Sequence, residues 1–369
     1  MKDWSPQQAN ALEKVAEWHK RADKQVFRVF GYAGTGKTTL AKHFASEIGG
    51  KVLFAAYTGK AAIVMRKNGC RGASTIHSMI YETIQNEVTG EVSFELAENG
   101  PIKTAELIII DECSMVDKEI GEDLLSFGVP ILVLGDPAQL PPVKGGGYFT
   151  EHEPDCMLTE IHRQAEGNPI IKLATDVREG NILEYGRYDE CHVIRKADIS
   201  SEAVLAADQV LVGKNITRSL YNIRLRELLG YEGKFPVEGD RLVCLRNDHK
   251  NKIFNGGLFN VVSVKTHMRT VHPGFITMMV ASEDFPYRKD VEVRVKEEFF
   301  TGNIGNVDWR ELKGSQHFDF GYALTVHKSQ GSQWENIVLF DESRAFREDW
   351  QRWLYTGITR ASETITIVR

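Results

Sequence analysis

Gly31-Tyr32-Ala33-Gly34-Thr35-Gly36-Lys37-Thr38 fits the pattern GxxxxGK[ST], in which glycines let backbone N–H groups curl around phosphate oxygens. The stretch follows Gln25–Phe30, an apolar run that reads as a buried strand, and it leads into a helix-like run. The loop chemistry needs that setting. A helix N-terminus adds positive potential, Lys37 reaches the terminal phosphates, and the Thr38 hydroxyl can ligate Mg²⁺. Four fixed positions of this kind match by chance in such a chain only about one time in a hundred, so a plain glycine turn is the weaker reading. Gly34, Thr35, Gly36, Lys37, Thr38 and Thr39 are therefore the expected phosphate-binding residues.

Working outward, Lys51–Tyr57, Leu107–Ile110 and Pro130–Leu134 are further short apolar runs alternating with helix-like segments. Alternation of this kind predicts a parallel sheet covered by helices. The third of the four strands ends in Asp111-Glu112, two carboxylates at the strand end where open α/β sheets hold ligands. Asp111 is the natural Mg²⁺ partner, and Glu112 is placed to polarise a water against a terminal phosphate. An Asp-Glu pair is usually only a strand end entering solvent; some seventy residues after a phosphate loop it becomes a strong signal.

The strand-helix alternation returns with Gln209–Val212, the helical stretch Ile216–Leu229, Asn336–Phe340, the helical Asp349–Ala361 and Thr364–Val368, which predicts a second α/β domain. Between them, Phe235 to Phe318 is β-rich and broken by Gly, Pro and Asn, as in Leu258–Lys265, Phe275–Ala281 and Val291–Val295. That texture suggests a small β-barrel inserted into the second domain. A shorter insertion, Ile80 to Thr104, contains Glu87-Val88-Thr89-Gly90-Glu91-Val92, whose alternation around Thr-Gly suggests a hairpin suited to separating strands.

The chain has 369 residues, 42% hydrophobic and 26% charged, which suits two similar α/β domains with small insertions. No run approaches the ~20 apolar residues a bilayer needs. Met1-Lys2-Asp3-Trp4 lacks a signal-peptide core, and Cys70, Cys113, Cys156, Cys191 and Cys244 stand far apart, as expected of reduced thiols in cytoplasm. A net charge of −6 argues mildly against a protein that coats duplex nucleic acid electrostatically. The basic stretch Arg241 to Lys252 is more simply a solvated surface.

Several longer motifs separate the possible phosphate-loop hydrolases. Asp111-Glu112-Cys113-Ser114-Met115 and Gly135-Asp136-Pro137-Ala138-Gln139-Leu140-Pro141-Pro142-Val143 resemble motifs II and III of superfamily 1 helicases, especially the RecD-like and Dda-like branch. Tyr57-Thr58-Gly59-Lys60-Ala61-Ala62 resembles motif Ia of that branch, and Thr75-Ile76-His77 its next DNA-contact motif. Ala323-Leu324-Thr325-Val326-His327-Lys328-Ser329-Gln330-Gly331 resembles motif V, and Trp353-Leu354-Tyr355-Thr356-Gly357-Ile358-Thr359-Arg360-Ala361 motif VI. All stand in family order over nearly the whole chain.

The resemblance implies two RecA-like P-loop NTPase domains, with the hairpin in the first and an SH3-like β-barrel in the second. The expected boundaries are 1–79 and 105–150 for the first domain and 80–104 for its hairpin insertion. The second domain would take 151–234 and 319–369, with 235–318 as the barrel. It further implies an ATP- and Mg²⁺-dependent DNA helicase moving 5′→3′ on single-stranded DNA in replication, recombination or repair. The implied protein is a monomer acting at single-strand/duplex junctions beside replication or single-strand-binding proteins, in the cytoplasm of a cell or of a phage host.

By the same resemblance Gln139 is the phosphate sensor, while Arg163 and Arg360 reach from the second domain as arginine fingers, guanidinium being suited to spread phosphoryl charge. Gln8 takes the place of the adenine-reading glutamine, with Gln7 as a neighbour that blurs the register. His162 stands where relatives stack an aromatic ring on adenine, and Gln330 and Gly331 complete the nucleotide site. Thr58, Lys60, Thr75, His77, Thr325 and His327 would line the strand path, as hydroxyls and cations suit phosphate contacts. Phe94, Phe254 and Trp334 are candidates for base stacking as well as for core, and Phe254-Asn255-Gly256-Gly257 resembles a family turn opening the barrel. Two other readings stay open: a superfamily 1 RNA helicase, as in viral relatives, and an ATP-switched binding module without unwinding.

Overall fold

The structure is a computed structural model that describes residues 4–85, 92–97, 100–142, 147–160, 167–248 and 251–369. The chain packs as two compact units. One comprises Met1–Leu183, Gln330–Gln333 and Phe346–Arg360, the other Glu184–Ser329, Trp334–Ala345 and Ala361–Arg369.

The first unit opens with α1 (Pro6–Arg21), β1 (Val26–Gly31), α2 (Lys37–Glu47), β2 (Val52–Ala56), α3 (Gly59–Lys67), β3 (Ser74–Thr75) and α4 (Ile76–Ile80). It continues with β4 (Tyr81–Gln85), β5 (Val92–Leu96), β6 (Leu107–Asp111), α5 (Lys118–Ser126), β7 (Ile131–Gly135), β8 (Cys156–Leu158) and α6 (Pro169–Arg178). Six strands form a parallel sheet in the order β3-β2-β6-β7-β1-β8. The period-2 geometry of a strand explains the unbroken apolar runs. Leu107 and Ile109 face Ala11, Val15, Trp18, Leu40 and Phe44 on one side of the sheet. Ile108 and Ile110 face Ile76, Met79, Leu124 and Phe149 on the other. Full burial of each such side chain contributes about 1.5–3 kcal/mol, so β6 is anchored from both faces and its carboxylate end is held rigidly.

Helix α1 starts at a capping box, with the Ser5 hydroxyl accepting from Gln8 N and the Gln8 side chain accepting from Ser5 N. Strands β4 and β5 pair antiparallel from Tyr81↔Leu96 to Gln85↔Val92, while residues 86–91, which include most of the Glu87–Val92 stretch expected to form the hairpin, lie outside the described residues.

One expected boundary moves. The second domain was expected to begin at 151, but Cys156, Met157 and Leu158 pair with Val29, Phe30 and Gly31, so β8 is an edge strand of the first sheet. Residues to Leu183 go with it.

The second unit contains β9 (Gly186–Tyr188), β10 (Cys191–Ile194), α7 (Ser201–Leu205), β11 (Gln209–Val212), α8 (Asn215–Leu228), β12 (Arg241–Cys244), β13 (Leu258–Val264) and α9 (Met268–Val271). After these come β14 (Phe275–Ser282), β15 (Val291–Lys296), α10 (Glu298–Thr301), β16 (Phe318–Phe320), β17 (Ala323–Thr325), α11 (Val326–Ser329), β18 (Trp334–Phe340) and, after α12 (Trp350–Ile358), β19 (Ala361–Val368). Its larger sheet runs β17-β11-β18-β19-β10-β9, parallel except for the last pair. A five-stranded antiparallel sheet, β15-β14-β13-β12-β16, has its own core around Phe259, Met278, Val293 and Phe318. A parallel bridge Val295↔Gln316 brings β15, at one edge, beside the chain entering β16 at the other.

The joint between the two sheets is ionic. Arg226 of α8 forms a two-pronged pair with Asp240, Nε to Oδ1 and Nη2 to Oδ2 both at 2.8 Å, and neither side chain is more than 4% exposed. The rest of the fork donates to Gly233 O and Phe235 O, and Tyr322 donates its hydroxyl to Asp240. Helix α12 has a separate place: it packs on α6 within the first unit, although the chain on both sides of 346–360 belongs to the second.

Candidate nucleotide site and strand-contact residues

β1 delivers the chain to Gly31, and α2 begins at Lys37. Gly34 and Gly36 between them take φ of 80° and 81°, a left-handed conformation that costs a side chain strain. At Gly36 a Cβ would also stand 2.7 Å from Gln8 Nε2, so both backbone and space demand glycine. The Lys37 ammonium turns back over the loop, donating to Gly31 O at 2.6 Å and Tyr32 O at 3.1 Å. Thr38 Oγ1 donates to Asp111 Oδ2 at 2.7 Å, and Asp111 Oδ1 accepts from Glu112 N at 2.9 Å. Glu112 itself sits at φ 54°, a strained position for a non-glycine residue at the edge of the loop.

A cavity of about 260 Å³ lies over these groups, lined by Gly34, Gly36, Lys37, Thr38, Thr39, Asp111, Glu112, Gln139, Gly331 and Arg360. Burial pushes the Glu112 carboxyl above its ordinary range and Asp111 adds to the rise, while Arg360 is the strongest opposing influence, followed by Lys37. Gln139 is 7% exposed, and its Oε1 has no hydrogen-bond partner among the described residues, an atom left for a ligand in a polar cavity. The contact between the Thr38 hydroxyl and the Asp111 carboxylate sets two oxygens side by side. Mg²⁺ bound with a nucleotide commonly takes one or two protein oxygens of this kind, the rest coming from phosphates and water, so the residues fit that ion.

Arg360 was expected to cross from the second domain. Instead it belongs to the compact unit that carries the phosphate loop, because α12 packs there. Its guanidinium is held by Thr356 O at 3.0 Å, Ser332 O at 3.2 Å and Thr359 Oγ1 at 3.2 Å. Gly331, at φ 75°, presses on α3: a Cβ there would lie 2.7 Å from Ala61 Cβ and 3.0 Å from Thr58 Oγ1.

Other expected nucleotide residues are placed differently. Gln8 is buried, its Oε1 accepting from Ser5 N and its Nε2 donating to Thr35 O at 2.9 Å, so it braces the loop from behind rather than lining the cavity. Gln7 is likewise engaged, with Thr159 and Glu160. Thr35 is buried and donates to Tyr32 O, and Gln330 donates to Leu140 O at 2.8 Å; neither lines the cavity. His162 and Arg163 lie outside the described residues. Tyr355 and Asp136 escaped the sequence reading of the site, although both stand inside the quoted motifs. The Tyr355 hydroxyl donates to Asp136 Oδ2 at 2.6 Å and accepts from Ala33 N at 2.9 Å. A tyrosine or aspartate within a motif gives no sign of pairing with a residue 219 positions away.

The strand-contact candidates show a shared design. Thr58, Thr75 and Thr325 each end a parallel strand or follow it, and each hydroxyl accepts a backbone N–H three residues on: Ala61 N and Ser78 N at 3.1 Å, Lys328 N at 3.2 Å. Their side chains thus also shape turns and helix starts, each oxygen accepting a backbone N–H. Lys60 is 9% exposed. His77 and Phe94 come together with ring centres 4.7 Å apart, edge to face, and Tyr81 flanks His77 at 4.6 Å. Phe94 is 53% exposed, so this ring is not core. Lys328 donates to Asn255 Oδ1 at 2.7 Å, tying the motif V segment to the Phe254–Gly257 turn, while His327, Phe254 and Trp334 are half-buried.

Residues 3–198 match the sequence profile described as an AAA domain, and residues 320–368 the profile described as a UvrD-like helicase C-terminal domain. An ATP-dependent RecD2 DNA helicase of Deinococcus radiodurans is 28% identical over 394 residues, covering 98% of this chain and 48% of the relative. The chain therefore spans about half the length of that relative, and 36% of the next, an uncharacterised protein of Methanocaldococcus jannaschii. In fold it is similar to Bacteroides Pif1 solved with single-stranded DNA, with a TM-score of 0.60 at 19% identity over 99% of this chain and 92% of that one. It is also similar to Pif1 of Candida albicans, with a TM-score of 0.54 at 18% identity over 100% and 95% of the two chains. The two six-stranded sheets with their helices thus have the α/β fold of RecA-like P-loop domains. With more than half its length inside the AAA-domain profile, the chain belongs to that family, in the RecD- and Pif1-like branch of superfamily 1 helicases.

Proposed function

We propose that the chain is an ATP-dependent DNA helicase that moves 5′→3′ along single-stranded DNA and unwinds duplex ahead of it. One observation carries the proposal: Lys37, the Thr38–Asp111 pair, Glu112, Gln139 and Arg360 converge on a single cavity. Those groups supply what phosphoryl transfer to water requires. Lys37 and Arg360 neutralise charge on the transferred group, Glu112 orients and polarises the attacking water, and Gln139 offers its free oxygen to that water or its amide to the phosphate. Thr38 and Asp111 would hold Mg²⁺, which would supply positive charge against that of the phosphates. Arg163 is a further cation for the same task, and His162 a stacking partner for the base, on the strength of motif resemblance.

For the strand, the motif residues Thr58, Lys60, Thr75, His77, Thr325 and His327 lie where β2, β3 and β17 lead into α3, α4 and α11. The His77–Phe94 pair is the stacking element, with an aromatic face exposed beside a phosphate-binding motif. The β4–β5 ladder acts as the strand-separating pin, and the five-stranded antiparallel sheet is an SH3-like barrel, a reading supported by the Val295↔Gln316 bridge between its edges. DNA rather than RNA follows the RecD2 relative, which is a DNA helicase, and the 5′→3′ direction follows the branch that the motifs resemble.

The test is ATP-dependent unwinding of duplexes carrying either a 5′ or a 3′ single-stranded tail, with Lys37→Ala as control. Unwinding from the 5′ tail alone is the expected result. Unwinding from the 3′ tail alone would overturn the direction, and ATPase activity stimulated by RNA but not DNA would overturn the substrate.

A further inference from the structure

We propose that Tyr355 is a positioning residue for nucleotide hydrolysis, a hydroxyl that sets the phosphate loop, the Gln139 turn and Arg360 in one register; this rests on the hydrolytic reading above. Its hydroxyl bonds to two loops at once. As acceptor it takes Ala33 N–H at 2.9 Å, within the phosphate loop, and as donor it reaches Asp136 Oδ2 at 2.6 Å. A hydroxyl has one proton and two lone pairs, so it can serve both partners at once, which neither a carbonyl nor an amide N–H can do.

Asp136 passes the constraint on. Its Oδ1 accepts from Ala138 N at 3.0 Å and its carbonyl from Gln139 N at 3.1 Å, which fixes the turn that points Gln139 into the cavity. The next residue on α12 grips the far side of that turn, Thr356 Oγ1 accepting from Leu140 N at 2.9 Å, while Thr356 O accepts from Arg360 Nε at 3.0 Å. Three cavity elements thus hang on adjacent positions of one short helix. Tyr355, Asp136 and Thr356 are at most 2% exposed, so water cannot stand in for a lost bond.

Among the described residues Tyr355 lines no part of the cavity over Lys37, and its role is to place groups that do. Arg178, packed 3.7 Å from the centre of the Tyr32 ring, backs the neighbouring residue of the same loop. Tyr355, Asp136 and Thr356 do not line that cavity themselves, so loss of the Tyr355 hydroxyl should slow the chemical step with little effect on nucleotide binding.

The experiment measures steady-state ATPase and fluorescent-nucleotide affinity of the full chain, with thermal unfolding alongside, for Tyr355→Phe, Asp136→Asn and the double variant. Tyr355→Phe keeps ring and volume and removes only the hydroxyl. The expected result is a fall in kcat of about tenfold or more with nucleotide Kd within about twofold, and a double variant no worse than the more affected single one. Unchanged kcat in Tyr355→Phe overturns the proposal. So does a parallel loss of kcat, affinity and melting temperature, or failure of both single variants to fold, since each marks a merely structural bond. A wild-type chain that binds nucleotide yet hydrolyses none overturns the function proposed above and this inference with it; a normal wild type beside a normal Tyr355→Phe overturns the inference alone.

Discussion

Asp240→Ala removes the carboxylate that answers a buried guanidinium, and its cost follows from what remains. Arg226 keeps Gly233 O, Phe235 O and the Phe320 ring at 4.2 Å, but it loses two charge-assisted bonds at 2.8 Å and its counter-charge. Breaking one side of such a pair costs about 3–5 kcal/mol. The Tyr322 hydroxyl and Val237 N–H also lose an acceptor, but these losses overlap with the first and do not add to it in full. Arg226→Met should cost about as much, while Arg226→Met with Asp240→Leu should recover much of the loss, because apolar side chains replace both charges at once.

Because the chain has two compact units, a single melting curve mixes them. The assay is therefore native-state amide hydrogen exchange read in β12 and β13, with β6 of the other unit as internal control. Protection in β12 should fall by about two to three orders of magnitude in each single variant, since each ~1.4 kcal/mol is a factor of ten, and β6 should hold. A single-variant loss below about 1 kcal/mol, or losses that simply add in the double variant, would refute the reasoning.

Lys37→Ala should abolish ATP hydrolysis while sparing strand binding, which a filter-binding and ATPase comparison checks, because Lys37 donates to the loop carbonyls and lines the cavity. Gly331→Ala combines a left-handed φ with a clash against Ala61 and should destabilise the 330–333 segment by about 2–4 kcal/mol, seen as weaker nucleotide binding in titration. Burial pushes the Cys244 thiol up to about 12 from an ordinary value near 9, so the folded state keeps its proton where the unfolded chain gives it up. Stability from this group is whole below pH 9 and is lost as pH rises from 9 towards 12, by about 1.4 kcal/mol per unit; denaturant melts of the wild type against Cys244→Ala should show a steeper alkaline decline in the wild type.

Much of the molecule is legible in sequence because its signals are local. The glycines and lysine of 31–38 bring their own backbone requirements, and four apolar runs announce strands buried on both faces. Asp111-Glu112 at the end of one of them marks the proposed catalytic edge by its sequence alone. Thr58, Thr75 and Thr325 were legible as motif residues, but not their capping bonds, since a threonine after a strand gives no local sign of which N–H its oxygen will accept. The five-stranded sheet announced itself as β-rich texture, but its strand order depended on pairings across Val261↔Val280 and Leu242↔Phe320 that no local pattern contains.

The sequence by itself determined which groups could do chemistry: a phosphate loop, a metal-binding hydroxyl and carboxylate, a water-polarising glutamate and a set of arginines. Tertiary structure alone decided which of them meet. Gln8 spends its amide behind the loop, Arg360 returns on α12 to the unit that holds Lys37, and Tyr355 finds Asp136 across more than two hundred residues. The physical reason is that local propensity acts within a few residues of the chain. The partner of a buried polar group is chosen instead by packing, which brings distant segments to hydrogen-bonding distance and leaves no water to satisfy them otherwise.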